Sequence, residues 1–267
     1  MNIFKHEFNK NKKSVIIWSL SLAAFMIFYM AFFPIMAQDT KTFDSVMNSF
    51  PKEMLQALGL RAGLSLASLL GFFTLTFSML QLAIAIQSAT YGFAILSEEE
   101  RELTADFLLS KPVSRNKIYF SKFFAAYLGL IITAFIVSLS VFLALRLFNG
   151  GSPYEKNNVL MLVLTIPIFQ LLFLSVGMLA SLFFKRVRSV ISLSMGLAIG
   201  LYVINSVRGI VDSNIIGYLS PYYYFEPGSI VIDGQYDLKL LILAFSIIVI
   251  SLFFSYTLYN KRDIHSL

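Results

Sequence analysis

The sequence predicts an all-α integral membrane protein with six transmembrane helices, and three observations predict it. The chain has 267 residues, 57% of them hydrophobic, and a mean hydropathy of +0.75. That is more apolar surface than a soluble core of this length needs. Six apolar runs each reach about 20 residues, the length at which a helix rising about 1.5 Å per residue crosses a hydrocarbon core of roughly 30 Å. Charged residues are scarce, at 13%, and all but Arg146 and Arg208, near the ends of their runs, fall between the runs.

The runs are Ser14–Met36, Leu64–Ile86, Phe123–Phe148, Val159–Phe184, Val190–Val211 and Leu240–Tyr259. The first is too long for a signal-peptide core. Ile35 in "PIMAQD" also stands where a cleavage site needs a small residue, so this run reads as a retained span. Pro34 and Pro167 should each distort a span locally. Small-residue pairs occur at Gly59/Gly63 and Gly196/Gly200; the second lies within a span, where it favours close approach of another helix. There are no cysteines, so disulfides and thiolate metal sites are excluded.

Orientation follows from Lys and Arg. Fourteen of the 21 fall before the first run, between the second and third, between the fourth and fifth, or after the sixth; seven fall on the other side. The richer side should be cytoplasmic, with both termini inside. A net charge of +6 spread this way reads as membrane topology rather than as a nucleic-acid surface.

No Asp, Glu, Lys, Arg or His lies well inside any run, and both histidines, His6 and His265, are near the termini. Ion-coupled transporters need intramembrane carboxylates or histidines for their relays, so a self-powered carrier is disfavoured. Gln81, Gln87, Gln170 and Asn205 are the larger polar residues inside the spans. They read either as interhelical hydrogen bonds or as a substrate path. No catalytic, metal or cofactor-binding residues emerge. No Gly-Lys-Ser/Thr follows a glycine-rich turn, and no His-Glu-x-x-His pair occurs. The "EEERE" run lacks the downstream Arg and the membrane-embedded His of glutamate-dependent intramembrane proteases.

Between the second and third runs lies "SEEERELTADFLLSKPVSRNKIYFSK", Ser97–Lys122, with ten charged residues. Glu98–Leu109 reads as a helix. Glu98, Glu99 and Glu100 suit its N-terminus, Leu103, Phe107 and Leu108 make an apolar side, and Pro112 stops it. Ser114 can cap the next helix, which Arg115, Lys117 and Lys122 anchor at the cytoplasmic surface. A plain connection needs only a few residues, as "KRVRS" between the fourth and fifth runs shows. A short amphipathic helix of this kind suits docking into the groove of a cytoplasmic partner.

These residues resemble the type-2 ABC exporter permease family. The match consists of Glu98–Glu102 with Arg101, then Thr104, Leu108-Leu109-Ser110, Pro112-Val113-Ser114-Arg115 and Lys122, with Leu103 where Gly is usual. A second similar stretch is "LSPYYYFEPGSIVIDG", Leu219–Gly234. Together with the six-span layout, the resemblance covers nearly the whole chain as a single permease domain, 1–267.

The resemblance implies several further features. Residues 2–13 would form an N-terminal interfacial helix, with Ile3, Phe4 and Phe8 among lysines. Glu98, Glu99, Glu100, Arg101, Leu103, Thr104, Phe107, Leu108, Pro112 and Arg115 would form a cytoplasmic coupling helix and its flank. Asn214–Asp233 would form re-entrant short helices between spans 5 and 6, although Tyr218, Tyr222, Tyr223, Tyr224 and Phe225 equally compose an aromatic belt. Phe43, Val46, Met47 and Phe50 in the first outer loop make a stripe suited to the outer interface. The implied function is the permease subunit of an ATP-driven exporter in a bacterial plasma membrane. Its partners would be a second permease subunit, the bilayer and cytoplasmic ATPase subunits that bind ATP and Mg; this chain would bind no cofactor. The uncharged, Phe-rich spans lean toward an amphipathic or hydrophobic cargo, such as an antimicrobial peptide or antibiotic. A docking helix would also serve a membrane-anchored regulatory or assembly protein that binds a partner without transport.

Overall fold

A computed structural model describes residues 3–37, 65, 67–101, 113–184, 187–211 and 213–261, with the side chains of 99–101 outside the description. The Phe43–Phe50 stripe, the Gly59/Gly63 pair and loop residues Leu103, Thr104, Phe107, Leu108 and Pro112 lie outside the described residues. Every element among the described residues is helical. Six helices are long and apolar enough to cross a membrane.

Helix α1 (Ile3–Met30) changes the first expectation. Residues 3–13 are not a separate surface helix; they are the opening turns of the helix that carries the first apolar run. The side-chain period explains this. Ile3, Glu7, Val15, Ser19, Leu22, Met26 and Met30 are buried, at separations that place them on one stripe of a 3.6-residue helix. No Pro or Gly precedes Pro34, so nothing local favours a break. Pro34 then acts as expected. The chain turns at Ala31 and Phe32, and a short α2 (Phe33–Met36) restarts with proline in its first turn.

Helix α3 (Leu69–Arg101) starts later than the second run and ends well beyond it. Polar residues end the apolar run without ending the helix. The hydroxyls of Ser88, Thr90 and Ser97 donate back to the carbonyls of Ile84, Ile86 and Phe93 at 2.8, 2.7 and 2.6 Å. Glu98–Arg101 therefore close α3, where a new helix was expected to begin at Glu98. The rest of that expected helix lies outside the described residues.

Helix α4 (Arg115–Phe148) is capped as anticipated, with the Ser114 side chain accepting from the Lys117 backbone N–H at 3.4 Å. Helix α5 (Lys156–Ser181) runs through Pro167 without interruption. Helix α6 (Val190–Val211) has the expected bounds. Three short helices follow, α7 (Asn214–Gly217), α8 (Pro221–Tyr224) and α9 (Pro227–Asp233), before α10 (Leu238–Lys261).

Helix α1 lies along α4, while α3 packs on α5 and α6, and α10 on α5. The α3 and α5 spans are 67% and 61% buried, against 17% for α6, so α3 and α5 form the centre. They touch at a glycine crossing: a Cβ on Gly92 would stand 2.5 Å from the Leu174 carbonyl and 2.9 Å from Gly177 Cα. On α4, Gly129 allows Val15 the same close approach, since a Cβ there would meet its Cγ2 at 2.8 Å. Val15 pairs with Gly129 and Ser19 with Thr133, so α1 and α4 run parallel. Ser14 pairs with Tyr91 and Lys10 with Glu98, so α3 runs against α1. The Arg115 guanidinium donates to the Asn260 carbonyl at 3.2 Å, which brings the end of α10 to the end of the bundle where α4 begins. Both ends of the described chain thus share one end of the bundle.

Candidate functional site

At that shared end the segment expected to dock a partner leaves α3, and the charges around it pair within the chain. Lys122 Nζ lies 3.2 Å from Glu7 Oε1 and 3.7 Å from Glu98 Oε2, and Lys10 Nζ lies 2.8 Å from Glu98 Oε1. Lys122 was expected to be a surface anchor, yet its side chain is fully buried. It is two helical turns before Gly129, on the α4 face that meets α1, and this places it beneath α1 rather than in solvent. Glu98, expected among the coupling residues, holds α3 to α1 and α4. Glu7 was missed by sequence reasoning. Its signal was faint: a single acid among Lys5, Lys10, Lys12 and Lys13, on the α1 stripe shared by Ile3 and Val15. Arg115, expected as a surface anchor and coupling residue, is half-buried and ties α4 to α10.

The four polar candidates in the spans separate. Gln81, 3% exposed, donates from Nε2 to the Phe225 carbonyl at 2.8 Å. Gln87 donates to Thr133 Oγ1 at 3.0 Å, and Ser19 donates to the same oxygen at 3.0 Å, so one threonine joins α1, α3 and α4. Gln170 is fully buried on α5, and neither its Oε1 nor its Nε2 has a hydrogen-bond partner among the described residues. It is seven residues before Gly177, hence on the α5 face that crosses α3. Asn205 on α6 is half-buried, with its Oδ1 also unpartnered. Most span Ser and Thr hydroxyls bond to carbonyls three or four residues back and link nothing.

At the opposite end, the α7–α9 segment reaches into the bundle. Gln81 is twelve residues into α3, about 18 Å along its axis, and there it meets Phe225. Tyr222 packs edge-on against Phe169 and Phe173 of α5 and Tyr202 of α6, and its hydroxyl donates to the Ala198 carbonyl at 3.1 Å. Arg208 closes the segment from α6. Its guanidinium sits 3.0 Å from Glu226 Oε1 and 4.1 Å from the Tyr223 ring centre. Asn158 at the start of α5 donates to the Val231 carbonyl at 2.8 Å. Burial pushes the Tyr224 phenol up to about 12, so it remains a neutral donor, to the Tyr218 carbonyl. A cavity of about 280 Å³ opens beside Tyr223, Glu226, Asp233 and Tyr236. Its acids are engaged: Glu226 with Arg208 and Ser229, and Asp237 with the first N–H groups of α10.

Among the described residues, six apolar helices, four of them around a buried α3–α5 pair, define a multi-pass membrane protein. Residues 1–264 match the family model described as ABC-2 family transporter protein, and the chain belongs to that family. Its members are the membrane-spanning, non-catalytic permease subunits of ABC transporters and associate with separate ABC ATPases. No curated protein sequence matches the chain.

Proposed function

We propose that the chain is the permease subunit of an ATP-driven exporter, with both termini in the cytoplasm of a bacterial cell. Family membership over residues 1–264 carries this reading, and the excess of Lys and Arg at the end shared by the termini supports the orientation. The ATPase would dock at the segment leaving α3, from Glu99 through Leu103 and Phe107 to Pro112, with Leu103 and Phe107 as apolar anchors. Binding of ATP and Mg by the partner, and hydrolysis of the ATP, would then move α3 and α4, the two helices this segment joins.

Two permease subunits would enclose the path. Helix α6 supports a pairing face: it is the least buried span, and a Cβ on Gly196 or Gly200 would meet nothing within 4 Å. Gln170 is the substrate-path residue we favour, because its amide alone among the three span glutamines has neither atom bonded to a described residue. Gln81 and Gln87 hold helices together. The depth to which Tyr222 and Phe225 reach favours a re-entrant segment over an aromatic belt, since belt residues sit at the interface. The uncharged, Phe-rich spans suit an amphipathic or hydrophobic cargo.

The test is reconstitution with the cognate ATPase in proteoliposomes. ATP-dependent movement of a labelled cationic amphipathic peptide or lipophilic antibiotic, away from the face carrying the ATPase, is the expected result. Vanadate-sensitive hydrolysis by the complex without movement of either probe class would remove the cargo assignment. Hydrolysis by the rigorously purified single chain would remove the non-catalytic role.

A further inference from the structure

Lys122 is a wholly buried cation at the end of the bundle, and the docking role assigned to the α3–α4 connection does not use it. It touches carboxylates from two other helices, Glu7 of α1 at 3.2 Å and Glu98 of α3 at 3.7 Å, and Lys10 of α1 closes on Glu98 at 2.8 Å. Glu7 and Glu98 are themselves only 10% and 17% exposed. These pairs join three helices, α1, α3 and α4, that also pack on one another. Glu98 is also less than one turn from the end of α3. Removing one partner from a buried cluster leaves the other charges out of water without compensation, so such a cluster resists opening.

We propose that Lys122 is a positioning residue for energy coupling. Through Glu98 and Glu7 it locks the end of α3 to α1, so that displacement of the docking segment carries α1 with it as a rigid unit. Helix α1 is not adjacent in sequence to that segment; besides the Tyr91–Ser14 contact and the apolar packing of Ile3 and Val15 with Tyr91, Ile95 and Leu96, these ion pairs tie it to the end of α3. Because α1 also lies along α4, which the same segment joins, the cluster makes the ends of α1, α3 and α4 one unit. The inference rests on the proposed docking of an ATPase at this segment.

The experiment uses the full complex of chain and ATPase, and the natural absence of cysteine makes labelling specific. Nitroxides are placed on Ile17→Cys in α1 and Leu164→Cys in α5, both exposed. Labelled chain is diluted with unlabelled chain so that intrachain distances report. Trapping with ATP and vanadate should shift the distance distribution in the otherwise unaltered complex. Lys122→Met, and the milder Glu7→Gln, should retain the ATPase on purification and its basal hydrolysis but lose the shift. Coupling of hydrolysis to that movement should fall on the order of tenfold. Reversing all four signs (Glu7→Lys, Lys10→Glu, Glu98→Lys, Lys122→Glu) should restore it, which a general loss of stability would not. A shift that persists in Lys122→Met and Glu7→Gln overturns the inference and leaves the permease reading standing. Failure of the unaltered chain to retain the ATPase overturns both.

Discussion

Gln81 and Gln170 carry the same side chain and stand in opposite situations. The Gln81 amide satisfies the Phe225 carbonyl, 144 residues away, while the Gln170 amide is fully buried with neither atom bonded among the described residues. Leaving a buried acceptor unpaired costs about 1–3 kcal/mol. Gln81→Leu should therefore destabilise the protein by that order. Gln170→Leu should be neutral or stabilising, because an apolar group of similar size replaces an unpaired one. Thermal unfolding of both variants in one detergent measures this. If Gln170→Leu were as destabilising as Gln81→Leu, its amide would be paired in the protein and the substrate-path role would lose its basis. The sequence marked both residues as polar exceptions in apolar runs, and it could go no further. What separates them is a carbonyl supplied by a distant segment. Lys122 was misplaced for a similar reason. Its spacing from the third run suited an interface anchor, and only the α1 seam, running down to Ile3, shows that another helix covers it.

At the scale of elements, every apolar run found its helix, and what sequence reasoning missed was where helices end. A hydropathy run marks where lipid contact ends, whereas a helix ends where its hydrogen bonds do. Helix α3 passes the polar Gln87–Thr90 stretch because its hydroxyls bond inward, and α1 passes the lysines because its buried stripe continues among them. Helix contacts were legible only in kind. Gly196 and Gly200 were singled out as a site of close approach, but within this chain the tight crossing belongs to Gly92 and Gly177, which form no such repeat. Gly92→Leu should therefore force α3 and α5 apart. Overpacking of this sort costs about 1–3 kcal/mol or more, against little for Gly196→Ala, whose Cβ meets nothing within 4 Å. Size-exclusion profiles and melting in detergent should separate the two. Equal behaviour would mean that the crossing is not a structural constraint.

At the scale of the whole molecule, six spans bring both described ends of the chain and the α3–α4 connection to one end of the bundle, and the α7–α9 segment closes the other. The architecture was legible because lipid imposes a length and an apolar composition that survive in sequence without any partner. The ion cluster and the descent of Phe225 to Gln81 were not, since both depend on contacts between distant helices. The central claim is that the segment leaving α3 is where an ABC ATPase engages. Burying Leu103 and Phe107 in a partner should contribute roughly 1.5–3 kcal/mol each, enough to decide whether a complex survives purification. The most direct measurement is co-purification of the co-expressed ATPase with a chain carrying Leu103→Asp and Phe107→Asp, beside controls Lys156→Ala and Asp233→Ala at the opposite end. The account predicts that the double variant inserts normally and loses the ATPase while both controls retain it; undiminished recovery with the double variant would contradict it.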